Sequence, residues 1–263
     1  MKKILIPSLM LLIGFITLSF TPAKDGVVLR LKPNKGATFT VNTKVSMMNM
    51  MDVQGQSITT TQVSETRQSM TVKDVNEKEV SFDEKTEAMK LTISQMGMVL
   101  TYDSEHPEKT SPMLADQVDE ISAVLNEVTT TKYDVQGNPV EEDEEKDQTS
   151  SSGSAIIPLA DDAISEGSTW STHKVQDISG TKLVADMNYK VTKVSKKSIE
   201  IAITGTISGD EEVSGSYEGT ASINPETGML IKSNIKMNAS LTVSQQGMTF
   251  PLTMNGTTTV TVE

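Results

Sequence analysis

The sequence predicts a mainly β protein: long curved antiparallel sheets in two related halves, with one amphipathic helix inserted. Three observations predict it. Apolar and polar residues alternate over long runs, glycines punctuate those runs, and short stretches of the first half return in the second. A strand points successive side chains to opposite faces, so strict alternation gives each segment one buried and one wet face. That pattern belongs to antiparallel sheets with a solvated side rather than to buried parallel ones.

The first segment stands apart from the fold. Lys2 and Lys3 precede the apolar run "ILIPSLMLLIGFITLSF", and Thr21 and Ala23 supply small residues after it. This is the order of a secretory signal peptide, assigned to residues 1–23, with Lys24 as the mature N-terminus. The chain has no Cys. It therefore offers neither a lipidation site nor disulfides, and its stability must come from a core. The expectation is an exported protein, periplasmic or extracellular, that is not a lipoprotein and does not span the membrane once the signal is cleaved.

The N-terminal β half is placed at residues 24–140. From Phe39 the odd positions run Phe39, Val41, Thr43, Val45 and Met47, with polar residues between them. In the stretch from Val80 to Ile93 the parity slips: Val80 and Phe82 are even, Met89, Leu91 and Ile93 odd. A bulge near Thr86–Ala88 accounts for the slip. The helix is predicted over residues 112–126, with Ser111 as cap, Pro112 in the first turn, and Leu114, Val118, Ile121 and Leu125 as its apolar stripe. The strand "TTTKYDV" follows. Residues 141–154, acidic and then Ser/Gly-rich, read as a solvated linker.

The C-terminal β half is placed at residues 155–263. Ile199, Ile201, Ile203 and Ile207 alternate with polar or small residues, as do Met229, Ile231, Ile235, Met237, Leu241 and Val243. A strand from Met229 to Val243 would extend about 50 Å if straight, a length that normally twists or curls. Turns are marked at Gly55, Gly97, Gly228 and Gly247, where Gly supplies the positive φ of tight hairpins.

Three pairs of stretches match in the same order. "KGATF" (35–39) answers "EGSTW" (166–170), "VKDVNEKEVSF" (72–82) answers "VTKVSKKSIEI" (191–201), and "LTISQMGM" (91–98) answers "LTVSQQGM" (241–248). They predict an internal duplication in which Phe39 and Trp170 occupy corresponding core positions, and in which the turns at Gly97 and Gly247 join equivalent strand pairs.

The stretches "LRLKPNKGATF", "IIPLADDAISEGSTW" and "INPETGMLIKS" resemble an uncharacterised exported β-rich family common in Bacteroidota. Its members share a Pro-rich approach to a Gly-x-x-Trp strand and an Asp/Asn-Pro-x-x-Gly hairpin. The likeness covers most of residues 27–263, at Gly36, Phe39, Pro158, Gly167, Trp170, Pro225 and Gly228. The resemblance implies architecture and no chemistry. More loosely, the long curved sheets are similar to the half-barrels of lipoprotein carriers.

Composition narrows the function. Without Lys2 and Lys3 the chain holds 21 basic and 35 acidic residues, a net charge of −14. Such a surface repels phosphate backbones, which excludes nucleic acid as a partner. Catalysis is poorly provisioned, with two His (His106 and His173) and none of the common nucleophile, zinc or phosphate motifs. Carboxylates abound, yet eight mature aromatics offer little for sugar stacking. No enzyme, cofactor, metal or catalytic residue is expected. The run Glu141–Asp147 lacks the spacing of a calcium loop. "MMNMMD" (47–52) offers thioethers to Cu(I), but Met47 and Met51 share the core parity while Met48 and Met50 point away.

Fourteen mature Met make a soft, adaptable interior that suits irregular apolar ligands. The leading expectation is a non-enzymatic envelope protein that binds a lipid or acyl chain in a curved β-sheet, at residues the sequence does not identify. The alternatives are a protein–protein interaction or scaffold module of the envelope and, behind it, Met-based Cu(I) binding.

Overall fold

A computed structural model of the protein describes residues 26–53, 55–114, 118, 122–125, 127–140, 155–178, 181–209, 213–245 and 248–263. The segments expected to be signal peptide (1–23) and linker (141–154) lie outside the described residues. Eleven strands follow in order: β1 (Thr38–Val53), β2 (Gln56–Val75), β3 (Glu79–Gln95), β4 (Met98–Asp103), β5 (Val128–Asp134), β6 (Thr169–Ile178), β7 (Thr181–Val194), β8 (Ile199–Gly209), β9 (Ser214–Ile223), β10 (Leu230–Gln245) and β11 (Met248–Val262). They form one antiparallel sheet in the order β4-β3-β2-β1-β11-β10-β9-β8-β7-β6, with β5 alongside the other half of β3. The sheet is not closed. Strands from both sides of residues 141–154 share it, because β1 pairs with β11 from Val41↔Val262 to Met51↔Leu252.

The sheet is rolled, and its rolling can be read from two consecutive residues. The Leu31 amide donates to the Val135 carbonyl just past β5, and the Lys32 amide donates to Thr227 in the β9–β10 turn. Neighbouring amides hold those two carbonyls within about 10 Å of each other. On a flat sheet, six strand spacings would separate them by about 29 Å. Inward glycines let the wall bend. Across β8 and β9, Ile203 faces Gly219, Gly205 faces Tyr217 and Ile207 faces Gly215, so each large side chain lies opposite a missing one.

Two plug segments, residues 26–33 and 155–165, fill the rolled end. Leu29, Leu31, Ile156, Leu159 and Ile164 are buried there among Val72, Val80, Phe82, Val191, Ile199, Ile201 and Ile223. The plugs pair with each other through Val27 and Ile164. The Arg30 guanidinium donates to the carbonyls of Leu29, Ala160 and Asp161. The Leu159 amide bonds Gln136 past β5, and the Leu230 amide bonds Ala155.

Two four-stranded units, β1-β2-β3-β5 and β6-β7-β8-β9, repeat each other's details. Gly36 and Gly167 both have positive φ. Their amides donate to Val72 and Val191, whose own amides donate to Ala37 and Ser168. Register shifts fall at Val72/Asp74 and at Val191/Lys193. Phe39 faces Met70 as Trp170 faces Tyr189, and both Phe39 and Trp170 pack against the plugged core. The turns after β5 and β9 also correspond: the Asp134 and Asn224 side chains each accept two backbone amides.

Two expectations are corrected. The stretches at 91 and 241 fall at non-equivalent places: Gly97 ends the hairpin of β3, whose counterpart by register is β8, whereas Gly247 lies between β10 and β11. The amphipathic helix over 112–126 is not supported. Pro112–Leu114 is a single 3-10 turn, and helical backbone among the described residues is confined to Val118 and Ser122–Ala123. Leu125 instead bridges Thr86. The hydroxyl expected to cap the helix is occupied elsewhere: Ser111 Oγ accepts the Thr101 amide, and the Ser111 amide donates to the Thr101 carbonyl, which covers part of the β4 edge. Ala115–Gln117, Asp119–Ile121 and Asn126 lie outside the described residues. The bulge in β3 is present, since Arg67 faces Ala88 and Gln68 faces Thr86, leaving Glu87 extra.

Candidate functional site

The plugs and the filled core sit at one end of the strands. At the other end the inner face continues with no plug over it among the described residues. On β1 the inward parity that begins Phe39, Val41, Thr43 continues Val45, Met47, Asn49, Met51. Opposite them on β11 stand Thr258, Gly256, Met254 and Leu252. On β10 stand Ile235, Met237, Ala239 and Leu241. A small cluster of Ile207, Val213 and Ala239 is buried here, ringed by half-buried Leu183, Tyr217, Met237, Leu241 and Met254. This end is therefore an apolar trough rather than a filled core, and burial raises the Tyr217 phenol above its ordinary pKa.

The inner face also carries polar side chains, Ser64, Gln62 and Thr60 on β2 and Thr258 on β11 among them, and two of its polar groups hold a buried, unpartnered oxygen. Asn49 lies between Met47 and Met51, facing Met254 on one side and Thr60 on the other. Its Oδ1 is buried and has no hydrogen-bond partner among the described residues. Glu84 sits nearer the plug, opposite Met70 and Thr129, with a buried and unpartnered Oε1. Burial pushes its carboxyl pKa up, against a hydrogen bond from Thr131 that lowers it. An apolar concavity with a few fixed polar groups is the usual composition of a ligand site. A ligand hydroxyl or amide meeting Asn49 Oδ1 would satisfy an acceptor that is otherwise costly to bury.

Met47 and Met51 point inward while Met48 and Met50 point outward, so the four sulfurs do not converge. Among the described residues no group of three or more His, Asp or Glu could hold a metal ion. His106 is exposed in the loop after β4, with Nδ1 3.4 Å from Glu108. His173 is exposed on the outer face of β6, 2.7 Å from Asp186 on β7. Neither borders the trough.

A cleft of about 540 Å³ lies on the outer face, where the loop after β4 folds back over β1, β2 and β3. Four of its charged side chains pair with one another. Lys44 bonds Glu65 at 2.7 Å, and Arg67 bonds Glu105 at 2.8 Å with Glu87 at 3.6 Å. The Lys44 hydrogen bond holds the Glu65 carboxyl below its ordinary pKa. Asn49, Glu84 and Tyr217 were not singled out in the sequence. Asn49 carried a signal all the same, since it falls on the inward parity of a mostly apolar run.

No family model matches the sequence, and no curated protein matches it. Among solved structures, one of lipid–protein interactions in lipovitellin has a TM-score of 0.49 at 7% identity, over 88% of this chain and 25% of that one. This chain thus spans about a quarter of that protein's length. The translocator domain of an autotransporter from Neisseria meningitidis gives a TM-score of 0.36 at 7% identity, over 88% and 90% of the two chains. An outer membrane channel from Pseudomonas putida F1 gives 0.23 at 8% identity, over 92% and 99%. At these scores and identities the likenesses do not bear on what this chain does.

Proposed function

We propose that the chain is a non-enzymatic, exported envelope protein that holds a lipid or acyl chain against the inner face of its open end. One observation carries this: past the plugged core, the rolled sheet presents half-buried Met, Leu and Tyr side chains near the Asn49 amide oxygen, which has no partner among the described residues. Met is flexible and polarisable, so a Met-lined wall adapts to irregular apolar shapes. From Val45 to Val53 the trough runs about 27 Å, long enough for an extended fatty acyl chain. The two matching four-stranded units support an origin by duplication, the second unit being followed by β10 and β11.

Mass spectrometry of gently extracted, purified protein should recover co-purified lipid, and dansyl-undecanoic acid should bind with a rise in fluorescence. Met254→Glu or Leu241→Glu should weaken probe binding by at least about tenfold, because an unpaired carboxylate in an apolar site costs more than 1.4 kcal/mol. Repeated lipid-free preparations that also take up no probe would sink the proposal.

A further inference from the structure

Charge is distributed unevenly along the strands. Residues 45–64, 91–102 and 237–262 together make 58 positions with one charged side chain, Asp52. At the chain's 22% charged content, about 13 would be expected. The gap matters because the sheet brings the three stretches together. β4, β3, β2, β1, β11 and β10 are consecutive neighbours, and these stretches cover the open-end halves of β3, β2, β1 and β10, nearly all of β4 and the whole of β11. The plug end carries the ion pairs Lys35–Asp74, Lys73–Asp83 and Arg67–Glu105.

The β3–β4 hairpin carries this uncharged zone to its tip, where large apolar side chains stand in solvent. Met96 is 79% exposed, Met98 54% and Val99 58%. Gln95 at the foot of the tip faces Thr60, which faces Asn49. By register the tip therefore flanks the trough beside Asn49, while Gln56–Thr59 of β2 run on past it.

We propose that this uncharged flank docks on a lipid bilayer without net charge, placing the β4 side of the trough at the membrane surface. The proposal rests on the acyl-binding reading for its purpose and on separate residues for its contact. Apolar tips enter the headgroup–acyl boundary readily only where charged side chains do not have to follow. A bilayer of zwitterionic lipid fits the flank's neutrality. An anionic one would repel a chain whose net charge is −12.

Vesicle flotation of the full chain is the test, with Met96→Asp/Val99→Asp as the variant. Both side chains are exposed, so the variant should melt as the parent does. Phosphatidylcholine vesicles should carry the parent protein, vesicles containing phosphatidylglycerol should carry less at low salt, and the variant should float at least tenfold less with phosphatidylcholine. Its binding of dansyl-undecanoic acid should be unchanged, whereas Met254→Glu should lose the probe and still float. Failure of the acyl-binding reading would remove probe binding alone; failure of docking would leave the parent protein unbound by phosphatidylcholine, or bound equally with the variant. A parent that ignores all vesicles but crosslinks through its tip to an envelope protein would overturn docking on lipid in favour of a protein partner.

Discussion

Gly36 and Gly228 offer a controlled comparison of how much the plug contributes. Both have positive φ, +80° and +72°. An added Cβ at Gly36 meets nothing within 4 Å, so Gly36→Ala carries only the left-handed penalty of about 1–2 kcal/mol, partly offset by a stiffer unfolded chain. At Gly228 the same Cβ falls on the Arg30 carbonyl oxygen and lies 2.7 Å from its carbon and 2.9 Å from the Leu31 nitrogen. These are backbone atoms and cannot rotate away. The first plug must retreat, which strains the Lys32–Thr227 bond of 2.9 Å and opens the seat of Leu29 and Leu31, both fully buried. Overpacking of this kind costs about 1–3 kcal/mol, and the hydrogen bond adds about 1. Gly228→Ala should therefore cost about 3–5 kcal/mol in total. At roughly 2–4 °C per kcal/mol, it should lower Tm by about 10 °C, against about 3 °C for Gly36→Ala. Thermal melts followed by far-UV circular dichroism, with urea midpoints alongside, read both numbers. Equal shifts for the two variants would refute the plug as a source of stability.

Trp170→Phe keeps the ring stacked on Tyr189, 5.2 Å between centroids, but loses the Nε1–H donated to the Pro158 carbonyl at 3.1 Å. It should cost about 1 kcal/mol in urea unfolding, and Trp170→Ala about 3–5; a neutral Ala variant would remove Trp170 from the core. Glu84 gives a dependence on pH. Its folded pKa is raised by burial, so the native state binds the extra proton, and its contribution is fully present below the ordinary carboxylate range and lost as pH rises through the raised folded value. Glu84→Gln should accordingly be near neutral in stability at pH 4 and stabilising at pH 7, read from denaturant midpoints at the two values. A variant that stabilises more at pH 4 would reverse the assignment.

The strands were legible because alternation is a local signal. Phe39 to Met47 and Ile199 to Ile207 assign their own faces, and the parity slip before Met89 located the β3 bulge. Pairing partners were less accessible. Nothing local to Val41 or Val262 says that they face each other, since either could pair with any strand of similar alternation. The plugs escaped notice for a related reason: Leu29, Leu31, Ile156 and Leu159 lie in short, proline-marked approaches, and their burial depends on where distant turns come to rest. The helical periodicity around Leu114 was real in spacing, but Ser111 found a stronger use on the β4 edge. At the candidate site, Met47 and Met51 could be assigned to the inner face from parity alone. That the face stays unfilled beyond Ile203 depended on the length and placement of the plugs.

The bonds from Leu31 to Val135 and from Lys32 to Thr227, with β1 laid against β11, set an order of assembly. The hairpins of β1-β2-β3 and β6 through β10 can form from near neighbours, but the plug has no seat until residues nearly 200 positions further along the chain have arrived. The β1 edge likewise waits for its partner more than 200 positions away. Closing such long loops before the contacts that reward them makes folding slow. During synthesis the first half would hold an unpaired β1 edge and an uncovered apolar face. That edge and that face find their partners only when the last strand is released.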